Sequence, residues 1–233
     1  MLLSPKGPQY LVFFGLTFAA MAFTSILYFT GSPGFQRYFG GLEPLLAVFI
    51  VILNGFATIS VLLNRGWFII YQKEKFLRGL PITVALASAM GLVIILVDLA
   101  GGFPAEINVR FPESLLFYPV MGFVVEAIFH LMPLTLLLLL LTSLSERLTF
   151  EKIIWPCILL ISVAEPIFQA VLADPNASLL WVNQYVAFHI FLINLFQLWL
   201  FKRYDFVSMY AFRLMYYLIW HIGWGWLRLE ILF

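Results

Sequence analysis

Long apolar runs separated by short polar turns constrain this chain more than any other feature. A helix that crosses a bilayer needs about 20 predominantly apolar residues, because each residue rises only about 1.5 Å. Runs of that kind cover residues 10–29, 45–63, 80–99, 115–141, 153–172, 181–201 and 206–226. Turn formers bound them: Gly31-Ser32-Pro33-Gly34, Glu43-Pro44, Gly101-Gly102-Phe103-Pro104, Pro112-Glu113-Ser114 and Asp174-Pro175-Asn176. The pattern predicts an all-α, polytopic transmembrane helical bundle of about seven spans, with residues 1–233 forming a single integral membrane domain. Composition agrees: the chain is 63% hydrophobic and 11% charged, whereas soluble domains are about one quarter charged. The first run has no clear small-x-small cleavage site at its end, so it reads as a helix of the bundle and not as a signal peptide. The run at 115–141 is long for one crossing, and Pro133 is expected to kink it.

A net charge of +1 supplies no electrostatic case for nucleic acid as a partner. The single cysteine, Cys157, excludes an internal disulfide framework and a CxxC redox or metal motif within this sequence. Basic residues in the connections predict orientation. With seven spans, Lys6, Arg65, Lys73, Lys75, Arg78, Arg147, Lys152, Lys202 and Arg203 share one side, against Arg37, Arg110 and Arg228 on the other. That bias predicts a multi-pass protein of the cell membrane with a cytoplasmic N-terminus. Asn176-Ala177-Ser178 has the form of an N-glycosylation sequon.

Ionisable groups at membrane depth are costly and are functional candidates by default. Glu126 and His130 lie four apart on the fourth run, and Glu165 and Gln169 repeat that spacing on the fifth. Residues four apart share a helix face. A carboxylate and an imidazole so placed can share a proton, hold a metal ion, activate a water or simply join two helices. Pro166 leaves the carbonyl one turn before it without its helical donor. Both carboxylates fall near mid-membrane, roughly 17–18 Å from a helix end. His221 lies on the seventh run and His189 on the sixth, so an outward-opening cavity can be drawn that collects Glu126, Glu165, Gln169, His189 and His221. Arg213 is expected to snorkel or to pair with a carboxylate, Asp98 to sit at the interface, Asn54 and Asn194 to join helices, and Trp224 and Trp226 to mark a membrane boundary.

Three stretches fall in order on separate runs: Val125-Glu126-Ala127-Ile128-Phe129-His130, Glu165-Pro166-Ile167-Phe168-Gln169 and His221-Ile222-Gly223-Trp224-Gly225. Together they resemble the motifs Glu-Glu-x-x-x-Arg, Phe-x-x-x-His and His-x-x-x-Asn/Asp of the CAAX-protease and bacteriocin-processing family of intramembrane proteases. The resemblance covers residues 115–225. It keeps one glutamate, a phenylalanine and the last histidine, and puts His130 where arginine is expected. It implies a glutamate-activated water attacking a peptide bond, with Glu126 as base and Gln169 or His221 as oxyanion donors. The substrate implied is a membrane-associated peptide or protein.

Two other expectations stand beside this one. Glu126, His130, Glu165 and His221 suit a divalent metal such as zinc or iron. Alternatively, the same bundle serves as a non-catalytic scaffold or carrier.

Overall fold

The structure, a computed structural model, describes residues 6–32, 34–39, 41–101, 103–144, 147–172 and 180–232. The sequon Asn176-Ala177-Ser178, the Asp174-Pro175-Asn176 turn, Pro33, Gly102 and the side chain of Arg37 lie outside the described residues.

Among the described residues the fold is helical throughout, without strands. The helices are α1 (Lys6–Phe29), α2 (Gly34–Phe39), α3 (Pro44–Asn64), α4 (Lys73–Gly101), α5 (Ser114–Val125), α6 (Met132–Leu144), α7 (Phe150–Ser162), α8 (Ala164–Leu172), α9 (Leu180–Arg203), α10 (Phe206–Tyr217) and α11 (Gly225–Ile231). A π-helical turn, Glu126–Leu131, joins α5 to α6, and another, Leu218–Trp224, joins α10 to α11.

Among the described residues, six stretches are long and apolar enough to cross a membrane: Lys6–Phe29, Pro44–Asn64, Lys73–Gly101, Ser114–Leu144, Phe150–Val171 and Trp181–Arg203. Within the apolar 18-residue window of each, between 28% and 44% of the residues are buried inside the protein. The outward faces carry Phe18, Leu92, Leu140 and Leu159, so apolar side chains line the outside as well as the core. Such a surface belongs in lipid, and this is a multi-pass membrane protein.

The expected seventh span, residues 206–226, is a helical rod assembled from α10, the second π turn and α11. Its α10 part lies within the bundle. Phe206, Ser208, Met209, Tyr210, Phe212, Arg213, Tyr216 and Tyr217 of α10 are all buried. Enclosed by protein along α10, the rod tolerates there a serine, tyrosines and an arginine that a lipid-facing helix would not, whereas Leu218, Trp226 and Leu227 further along are exposed.

Small residues on α4 let the rod approach. Gly79, Thr83, Ala87 and Gly91 recur every fourth residue, the small-xxx-small pattern of close helix packing. A methyl group added at Gly91 would lie 2.7 Å from the Ile219 side chain, and one at Gly79 would lie 2.9 Å from the Tyr204 ring.

At one end of the bundle the segment 68–72 is stitched to two turns. Gln9 bonds the backbone of Ile70 and Tyr71, while Phe206 and Val207 donate to the Ile69 and Ile70 carbonyls. Asp205 caps α10 through Ser208 and also accepts from the Gln72 amide. Lys6 on α1 reaches Asn64 at the end of α3 at 2.7 Å. These ties gather the basic ends of α1, α3, α4 and α9 on one side.

Candidate functional site

Chemistry-bearing residues need a reason to sit in lipid, and the backbone supplies part of it here. The fourth span does not merely bend at Pro133. It widens into the π turn that holds Glu126 and His130, one turn before the proline, which has no N–H to offer the ladder. Pro166 likewise interrupts the fifth span, which breaks between Ser162 and Ala164. The carbonyl that Pro166 strands, that of Ser162, accepts instead from Asn194 Nδ2 on α9 at 3.3 Å. A broken helix and an amide from its neighbour thus repair one another.

Glu126 is the centre of a fully buried polar set. Its Oε2 faces His130 Nδ1 at 2.7 Å. Its Oε1 accepts from Arg213 Nε at 2.6 Å and from Gln197 Nε2. Arg213 then spreads outward: NH2 donates to Gln197 Oε1 at 2.7 Å, Glu165 Oε2 at 3.3 Å and Asn194 Oδ1 at 3.4 Å, while NH1 reaches Tyr217 Oη at 3.2 Å. Glu165 Oε1 accepts from Gln169 at 3.0 Å. Glu126 and His130 are 0% exposed, Arg213 3% and Glu165 4%. Four helical segments, the first π turn, α8, α9 and α10, therefore contribute to one charged centre in the membrane.

The structure unites Glu126, His130, Glu165 and Gln169 as expected from spacing, but the agent that unites them is Arg213. Pairing, and not snorkelling, is its role. Gln169 sits at the rim on the exposed face of α8, bonded to Glu165 alone.

Two expected members lie elsewhere. His189 is held between Tyr185 at 3.0 Å and Tyr216 at 3.3 Å, a satisfied core histidine. His221 faces Asn108 Nδ2 at 3.3 Å and stacks on Tyr118 with ring centroids 4.4 Å apart. It follows Arg213 by eight residues, about 12 Å along the rod, and meets it only through Tyr217, which Arg213 bonds and whose ring lies 5.0 Å from that of His221. Gly225 leaves room for Asn108, which would be 2.7 Å from an added methyl group. Close packing is therefore what Gly225 provides, whereas Gly223 is exposed.

A second buried ion pair occupies that end. Arg228 bonds Asp98 at 2.8 and 3.0 Å and also the Phe103 and Pro104 carbonyls, and Trp224 donates to Asp98 at 2.7 Å. Asp98 was expected at the interface. It is 1% exposed because Arg228 and Trp224 satisfy its carboxylate inside the protein.

No group of three or more His, Cys, Asp or Glu is placed to hold a metal ion among the described residues. Arg213 occupies the position between the two carboxylates that a cation would need. One atom of the central set stands out: His130 Nε2, buried, has no hydrogen-bond partner among the described residues.

Spacing alone missed Gln197 and narrowed Asn194 to helix packing. The two amides are three apart on one face of α9, and that i, i+3 pair within an apolar run was the available signal. Comparison with known proteins adds nothing to the geometry: no family model, curated protein or solved structure matches the chain.

Proposed function

We propose that this protein is an intramembrane peptidase-like protein whose acid–base unit is the Glu126–His130 dyad. The observation that carries this reading is an imidazole with one nitrogen held by a buried carboxylate at 2.7 Å and the other unpartnered. A buried unpaired polar atom in an otherwise satisfied network calls for a chemical explanation. A carboxylate bonded to Nδ1–H fixes the imidazole tautomer and leaves Nε2 as the base.

In this scheme Glu126 orients and His130 reacts, which moves the base one helical turn from the glutamate implied by the family resemblance. Water at Nε2 gives one proton to the imidazole as its oxygen bonds to the peptide carbonyl carbon. The same proton passes to the leaving amine as the C–N bond breaks. Arg213 and Gln197 keep Glu126 ionised and immobile. With His130 neutral, two carboxylates face one guanidinium, and a proton accepted at Nε2 balances the charges.

The nine-against-three distribution of basic residues supports a cytoplasmic N-terminus.

The test is turnover of a quenched fluorogenic peptide with a lipid anchor by the purified protein in nanodiscs. His130→Ala should abolish cleavage and Glu126→Gln should reduce it strongly; full activity of His130→Ala sinks the mechanism. A second reading, a non-catalytic scaffold, is favoured by one observation: every oxygen of Glu126 is already engaged and the residue has no exposure. Absence of turnover by the unaltered protein, together with lowered thermal stability of Glu126→Gln, would select it.

A further inference from the structure

The basic end of the bundle holds a feature that the central polar set does not use. A cavity of about 310 Å³ opens between α4, α7 and α9, lined by Lys75, Trp155, Trp199, Lys202 and Arg203. Three cations and two indoles converge there from three helices. Lys202 Nζ lies 5.2 Å from the Trp155 ring centroid. Two carboxylates stand near these cations: Glu151, 4.0 Å from Lys202 and itself 78% exposed, neutralises the site weakly, and the buried Asp205 lies within electrostatic reach of Lys75.

We infer that this cavity binds the phosphate of an anionic phospholipid headgroup. The charge is right for a phosphate monoanion, and cations at the end of a span attract anionic lipid. The depth is right as well: the cavity lies at helix ends, where indole rings settle between headgroups and acyl chains. A free phosphate would have no use for the exposed apolar face of α7 beside the cavity. Trp155 is 49% exposed, and Leu159, one turn further into the membrane on the same face of α7, is 55% exposed. An acyl chain leaving the headgroup runs along that face. This inference rests on the membrane assignment and is independent of the Glu126–His130 dyad.

The experiment is a titration of the full-length protein in neutral detergent with short-chain phosphatidylglycerol, phosphatidylcholine or inorganic phosphate, read by native mass spectrometry. Saturable binding of phosphatidylglycerol, at least tenfold tighter than phosphatidylcholine, is expected. Each cation near the surface is worth about fivefold in affinity, so K202Q/R203Q should weaken phosphatidylglycerol about 25-fold and K75Q about fivefold. R78Q, which removes an exposed charge from α4 outside the cavity, should stay within twofold. Equal binding of both lipids overturns the proposal. So does an equal loss in R78Q, which marks diffuse attraction. Inorganic phosphate binding as tightly as phosphatidylglycerol assigns the site to aqueous phosphate and overturns the lipid source. K75Q alone decides the matter if the double variant does not fold.

Discussion

Arg213 is the residue on which the interior charge depends. It contacts both buried carboxylates, so removing it leaves Glu126 and Glu165 without their cation in low dielectric. Breaking a buried pair by deleting one partner costs about 3–5 kcal/mol. R213M should lower thermal stability in detergent by about that amount, whereas R213K, which keeps charge but loses the fork, should lose less. Adding E126Q to R213M should restore part of the loss, because one stranded charge is then gone. A double variant no more stable than R213M would show that Glu126 does not depend on this arginine.

The elements are held by matched defects. Pro166 removes the donor for the Ser162 carbonyl, and Asn194 supplies another from α9. N194A should destabilise the protein by about 1–3 kcal/mol, the cost of an unsatisfied buried acceptor. P166A returns an N–H to that helix, so P166A/N194A should be more stable than N194A in a denaturant titration. Equal stabilities would mean that the proline and the amide are not coupled. The α4–rod contact makes a different prediction. Gly91 has no space for a side chain against Ile219, so G91L should cost about 1–3 kcal/mol through overpacking. I219A should recover part of it; no recovery would place the strain elsewhere.

At the scale of the whole molecule, the distribution of basic residues predicts how the bundle sits in its membrane. Cys157 is buried and is the only cysteine, so a C157S background suits accessibility labelling. In sealed, right-side-out vesicles, R110C should react with an impermeant maleimide. K152C should react only after the membrane is opened. The reverse pattern inverts the topology.

The sequence by itself determined the solvent, the helical multi-pass architecture and the burial of Glu126, His130, Glu165 and Arg213 within it. Those properties follow from local sums: about 20 apolar residues make a span, and a charge inside one must be buried. The i, i+4 pairs Glu126–His130 and Glu165–Gln169 were legible for the same reason, since a helix sets their geometry. Which pairs meet was decided only by the tertiary structure. Arg213 joins the two carboxylates, while His189 and His221 both pack against Tyr216 outside that hydrogen-bonded set, because these outcomes depend on how α9 and the central rod rotate against their neighbours. That rotation is set by packing, by the small-residue face of α4 and by the helix breaks at Pro133 and Pro166. No single helix carries it in its own periodicity.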